Sequence, residues 1–442
     1  MSFPLASTHP DGCAAHEART SGRALLAQAL TDSRERTLAL FAAYEAALQA
    51  VDMAVPYEVA LNPPLWELGH IGWFQEWWLA RYPERTAGVL ADPLCPRLPS
   101  RLAGADGLYN SSEVPHPARW RLPLPDAHAT KVYLAATLDD SLRLLARSDE
   151  TDAALYFHRL ALFHEDMHAE AAVYMAQALG IALPGDTAWP LPRGAKAPST
   201  DTSAPRPATG EGAPVCPIPA CEWTLGSGGS GGSGFAFDNE LGAHAVALAA
   251  FEIDAEPVNW ARYLPFVEAG GYRDPRWWSP QGWLWLQRAG EPLRVPRYLH
   301  EAAGIWSCQR FGDWQPLDPQ APAVHLSAFE ADAWCRWAGR RLPTEAEWEC
   351  AALSESSSMR QPFRWGRVWD WTSSVFEPWP GFVAHPYRDY SAPWFGTRRV
   401  LRGACVATSP RIAHPNYRNF FPPERNDIFA GFRSCATVPG MP

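Results

Sequence analysis

The chain has 442 residues, 47% of them hydrophobic, enough for two domains that each bury a core of their own. A formal net charge of -10 and the lack of any basic run argue against a nucleic-acid partner, whose phosphates are met by clustered lysine and arginine, and favour small-molecule substrates. No stretch approaches the roughly 20 apolar residues that span a bilayer, and the opening MSFPLASTHPDG lacks the charged start and apolar run of a signal peptide, so a cytoplasmic protein without membrane contact is expected.

In chain order, apolar residues recur at three and four spacing from about Ala24 to Leu179, with few glycines, which predicts helices over Arg23 to Val51, Pro63 to Tyr82, Ala127 to Arg147 and Glu150 to Leu179. Asn62 is expected as an N-cap with Pro63 in the first turn, and Gly180 as the residue that closes the last helix. The proline- and glycine-rich stretch from Pro83 to Pro125 reads as one long crossover in a four-helix bundle covering residues 20–182. Residues 183–214 hold few large apolar side chains and read as a linker. From Val215 to about residue 438 the composition turns to glycine, tryptophan and proline, with a β-like run at Ala245 to Ile253 and one clear helix at Ser327 to Ala338. That predicts a second, irregular α+β domain, in which GSGGSGGSG, Gly226 to Gly234, forms a flexible loop tip.

Nine cysteines without CxxC spacing do not form a disulfide framework or zinc finger, and most are expected as buried thiols. Twenty-two tryptophans, many in WW or WxW pairs, suit a loop-rich domain held by aromatic packing, and also suit a pocket for a cationic ligand.

The fourth helical segment contains HEDMHAE, His164 to Glu170, and a spacing of four brings His164 and His168 onto one face about one turn apart. Glu170 falls on another side of the turn, where it is placed to support a ligand or to contact another element. His70 lies mid-helix among apolar neighbours, where an unpaired imidazole is a burial cost that metal ligation would relieve. Three neutral imidazoles suit zinc, copper, iron or nickel alike. His158, six residues before His164, points elsewhere and is expected to be structural.

With those residues in view, the chain resembles the ergothioneine-type sulfoxide synthases and their selenoneine-synthase relatives, in which a DinB-like four-helix bundle precedes a C-type-lectin-like domain similar to formylglycine-generating enzyme. The likeness covers nearly the whole chain. It rests on PLWELGH (Pro64 to His70) and the H-x-x-x-H-x-E of His164, His168 and Glu170. In the second domain it rests on FDNE (Phe237 to Glu240), GGY (Gly270 to Tyr272), RLPTEAEWE (Arg341 to Glu349), VWDWTS (Val368 to Ser373), VLRG (Val400 to Gly403), YRNFF (Tyr417 to Phe421) and AGFR (Ala430 to Arg433). The resemblance implies an iron(II) ion on His70, His164 and His168 between the two domains, oxygen as co-substrate, and the betaine hercynine beside a thiol or selenol donor. It implies that Tyr387 is the active-site proton donor, that Tyr390 lines the same pocket, and that Asn419, Phe420 and Phe421 surround the betaine. Arg119 falls where the family places arginines for the donor, and a guanidinium suits a carboxylate or sugar hydroxyls.

Two departures concern the donor. The actinobacterial-type enzymes carry an acid, used for γ-glutamylcysteine, at the position of Phe421, and a glutamine at that of Met167. Losing the acid favours a selenosugar, with cysteine or γ-glutamylcysteine as the alternative. Other readings stay open on residues alone: a zinc-dependent thiol transferase, a non-catalytic ligand-binding module, and a copper oxidase like formylglycine-generating enzyme. The last needs a close cysteine pair, which Cys405 and Cys435 do not form in sequence.

Overall fold

A computed structural model describes residues 10–184, 213–227, 234–288, 293–354 and 362–436. The first part is helical: α1 (Pro10–Thr20), α2 (Arg23–Leu48), α3 (Pro64–Trp78), α4 (Ala105–Tyr109), α5 (Ala127–Leu145) and α6 (Asp152–Leu179). Of these, α2 packs on α6 and α3 on α5, which makes the bundle. Thr151 caps the start of α6 by accepting from the Ala154 amide, and Gly180 ends it in the left-handed conformation at φ 67°, as expected.

The start of α3 differs from expectation. Its N-cap is Pro63, with no side-chain cap, and Pro64 takes the first turn, because the Asn62 amide is drawn away to other partners. The early helix α1 was not visible as a pattern; it is fixed by a buried ion pair in which Arg19 donates twice to Glu240, at 2.8 and 2.9 Å. The long crossover is ordered rather than plain loop, holding 3-10 turns at Arg85–Leu90 and His116–Arg121 on either side of α4.

The second part is α+β. Its strands are β1 (Val215–Ile218), β2 (Cys221–Leu225), β3 (His244–Leu248), β4 (Phe251–Asp254), β5 (Leu299–Ala302), β6 (Ile305–Arg310), β7 (Asp313–Pro316), β8 (Arg340–Arg341), β9 (Trp369–Val375), β10 (Arg399–Gly403), β11 (Asn419–Phe421), β12 (Ala430–Gly431) and β13 (Cys435–Ala436). They form sheets in the orders β1-β4-β13-β8, β11-β10-β9-β12, β2-β3 and β5-β6-β7. The predicted single run from Ala245 to Ile253 is two strands, β3 and β4, that pair in different sheets. Among the described residues four helices, rather than one, join them: α7 (Trp260–Glu268), α8 (Pro280–Arg288), α9 (Ala328–Trp337) and α10 (Glu345–Leu353). Ser327 and Glu330 form a capping box on α9, and Thr344 and Glu347 form one on α10. Most of the expected linker and of the GSGGSGGSG tract lies outside the described residues. None of the described helices is long and apolar enough to cross a membrane.

Many of the tryptophans pack the core. Trp66, Trp334, Trp348, Trp369 and Trp371 are among the largest fully buried side chains. Each indole N–H has an acceptor: the carbonyls of Leu108, Arg262 and Leu326 for Trp66, Trp334 and Trp371, and the carboxylates of Asp370 and Glu170 for Trp348 and Trp369. The Trp369 bond, at 2.6 Å, crosses from the second part to α6, as does the pair of bonds from Arg411 to Asp166 at 2.8 Å.

Gly69 lets the crossover reach α3. A Cβ there would lie 2.2 Å from the fully buried ring of Tyr109. Alanine in a helix normally gains about 1 kcal/mol over glycine, but overpacking costs about 1–3 kcal/mol, and so severe a contact belongs at the upper end. Gly69→Ala is therefore expected to lower the denaturant midpoint; a raised midpoint would show that the Tyr109 contact does not constrain the fold.

Candidate metal centre

Two helices supply three imidazoles. His164 and His168 stand one turn apart on α6, and His70 approaches from α3; among the described residues their ligand nitrogens all lie within 4.8 Å of one another. The ring centroids of His70 are 5.1 Å from His164 and 5.0 Å from His168.

The hydrogen bonds behind two rings decide which nitrogen faces inward. His70 Nδ1 donates to the Tyr109 carbonyl at 2.7 Å, and His168 Nδ1 donates to Glu67 Oε2 at 2.5 Å. A carbonyl and a carboxylate can only accept, so each Nδ1 carries a proton, and in the neutral ring that tautomer leaves the lone pair on Nε2. His168 Nε2 and His164 Nε2 are 3.2 Å apart. Two nitrogens each about 2.0–2.1 Å from one ion would be separated by about 2.8–3.4 Å at right-angled to tetrahedral geometry, so this spacing fits a shared metal.

Electrostatics agree with ligation. Burial, helped by the neighbouring His168, lowers the His70 pKa to about 3, and burial likewise drives His164 well below the usual imidazole range. Both rings are thus neutral at physiological pH. Burial pushes the Glu67 carboxyl upward, but the electrostatic attraction and hydrogen bond of the His168 N–H outweigh it and bring Glu67 down to about 2, so it remains an anion behind its ligand.

Packing then fixes the ring planes. Phe74 stacks on His164 at 3.5 Å with 2° between planes, and Trp66 stacks on His70 at 4.7 Å. Tyr387 packs edge-on at 5.0 Å against Phe74, the ring that stacks on His164. The Tyr390 and Tyr417 hydroxyls are 3.1 Å apart, and Tyr417 donates to Met167 Sδ at 3.3 Å, beside His168. Arg119 lies 3.8 Å over Trp66.

The β11 residues divide. Successive strand residues face opposite sides: Phe420 stacks on Phe376 at 4.0 Å and lies 5.8 Å from Tyr390, whereas Phe421 sits 5.1 Å from the Arg425 guanidinium. The two phenyl rings therefore do not share one wall. The Asn419 side chain accepts from the Phe420 amide.

Glu170 makes its contacts with the second part of the chain. A two-residue step turns it about 200° around α6 from His168, and it accepts from Trp369 at 2.6 Å and from the Cys405 thiol at 3.7 Å, with its pKa raised by burial. The carboxylate that supports a histidine is Glu67, three residues before His70, which sequence reasoning missed although it stands inside PLWELGH. Cys405 is a buried thiol, as expected, and Cys435 belongs to the sheet built on β4, bonded in register with Ile253 and Arg341. His158 is buried outside the cluster.

The sulfatase-modifying factor enzyme 1-like domain profile matches residues 215–367 and 364–438. A hercynine oxygenase of Mycolicibacterium smegmatis is 33% identical, covering 93% of this chain and 98% of its own. The hercynine oxygenase of Mycobacterium tuberculosis is 33% identical, over 92% of this chain and 97% of its own. A formylglycine-generating enzyme of Streptomyces coelicolor is 29% identical over 46% of this chain and 80% of its own.

Replacing the partner of a metal-ligating histidine typically lowers metal affinity about 10–100-fold. Glu67→Ala is expected to do so in a competitive titration with a divalent metal while the helical circular dichroism stays native. Unaltered affinity would remove Glu67 from the site.

Proposed function

The chain belongs to the hercynine oxygenase family, and from that premise we propose that it is an iron(II)- and oxygen-dependent cytoplasmic enzyme that forms a carbon–selenium or carbon–sulfur bond on the imidazole ring of hercynine. The observation that carries this reading is the convergence of three imidazole nitrogens, two of them on rings oriented by Nδ1 hydrogen bonds. Three imidazoles without a fourth protein ligand among the described residues leave positions open to small molecules; the donor set fits iron, the metal that the resemblance to the sulfoxide synthases implies. Iron(II) held there would supply the one-electron chemistry through which oxygen joins the chalcogen to a ring carbon.

The chain's own residues supply position and a proton. Trp66 and Phe74 hold the ligand rings flat against them, so the open side of the site has a fixed direction and the reactants gain from orientation. Burial raises the Tyr387 pKa above the ordinary phenol value, so the hydroxyl keeps its proton until it is used as an acid. The aromatic faces of Tyr387, Tyr390 and Phe420 suit the quaternary ammonium of a betaine.

For the donor we favour a selenosugar. Phe421 brings no carboxylate to meet an amino-acid ammonium, Met167 brings a polarisable thioether beside His168, and Arg119 Nε is buried without a hydrogen-bond partner among the described residues, a donor that a hydroxyl or carboxylate would satisfy. Cysteine and γ-glutamylcysteine are the alternative donors. A zinc-type transferase would make its bond without oxygen.

Incubating the iron(II) protein with hercynine and, separately, a selenosugar, cysteine and γ-glutamylcysteine should give a conjugate mass with the selenosugar and only in air. Product formed anaerobically would overturn the oxidative reading, and a conjugate with a thiol alone would overturn the selenium one. Tyr387→Phe should keep iron and hercynine binding but slow product formation by at least about 100-fold; native kinetics would clear Tyr387 of the proton-donor role.

A further inference from the structure

Asn62 stands at the threshold of α3, where its amide would ordinarily cap the helix. Instead it joins two charged groups. Arg119 Nη1 donates to Asn62 Oδ1 at 2.9 Å, and Asn62 Nδ2 donates to Glu67 Oε1 at 2.5 Å. A guanidinium can only donate and an ionised carboxylate can only accept, so the two partners fix the orientation of the amide between them. The other oxygen of the same carboxylate holds His168 Nδ1 at 2.5 Å. Three consecutive hydrogen bonds therefore run from Arg119 to a candidate metal ligand, in a partly buried setting where such bonds polarise one another.

The Arg119 end of this chain is prepared for a ligand. Its guanidinium is spread over Trp66 at 3.8 Å, its Nε has no partner among the described residues, and Trp66 in turn stacks on His70.

We propose that Asn62 is a positioning residue that couples the Arg119 guanidinium to His168 through Glu67, so that what Arg119 binds alters how firmly the imidazole is held. An aspartate at this position would keep the acceptor for Arg119 but set a second carboxylate against Glu67. An alanine would cut both links. The consequence for the donor, that its arrival at Arg119 tightens the metal centre before oxygen is used, rests on the reading of Arg119 as a donor-binding residue. The coupling itself does not.

The test is a double-mutant cycle on the full-length protein, with Co(II) as the probe, its affinity measured by chelator competition and its ligand field by visible absorption. Arg119→Ala should change Co(II) affinity about fivefold in the native background and less than about twofold in Asn62→Ala. The visible bands should move with Arg119→Ala only where Asn62 is present. An equal change in both backgrounds would mean that the guanidinium acts by charge through space, and no change in the native background would mean that it does not act at all; either result overturns the proposal. Asn62→Asp, which retains only the Arg119 link, should abolish the coupling as Asn62→Ala does and serves in its place if that variant melts early. Neither hercynine, oxygen nor a donor enters the measurement, so its failure would leave the proposed reaction standing, and a failed reaction would leave the coupling intact.

Discussion

The site depends on two protons being held away from it. His70 and His168 each give the Nδ1 proton to an acceptor behind the ring, the carbonyl of Tyr109 and the carboxylate of Glu67, and only for that reason do their Nε2 lone pairs point at a common centre. Burial keeps His70 and His164 neutral. In water these rings would turn freely and take up protons near their ordinary pKa. The fold converts them into ligands by denying both.

Much of the remaining architecture serves that arrangement. The crossover exists in its observed form because Gly69 lets Tyr109 press against α3, and the same segment carries Arg119 back over Trp66. The second part of the chain is tied to α6 by Trp369 on Glu170 and Arg411 on Asp166. Asp166 lies between the two α6 histidines in sequence, and removing one partner of a buried ion pair typically costs about 3–5 kcal/mol. Tyr387 on Phe74, and Tyr390 and Tyr417 on Met167, are thus held against the two histidine-bearing helices by contacts that are expensive to break.

The fold was legible wherever periodicity was strong and the punctuation local. The four bundle helices, Gly180 at the end of α6 and the capped helix α9 follow from spacing and from single residues. Helix α1 escaped because its order comes from an ion pair more than 200 positions away, and β3 and β4 merged because two alanines give no turn signal. The three histidines were readable from spacing and from the cost of burying His70. Their supports were not: Glu67 was hidden by its place in an apolar helix, and Glu170 drew attention through proximity in sequence although its contacts lie with Trp369 and Cys405. Asn62 looked like a cap because asparagine before a proline commonly is one; only the fold shows that its amide is taken by two charges.

X-ray absorption at the iron edge of the anaerobic Fe(II)-loaded protein tests the central claim most directly. One ion per chain with three imidazole nitrogens around it, reduced to two in His70→Ala, is the predicted result. Sulfur ligation, or an imidazole count that does not fall in that variant, would contradict the account.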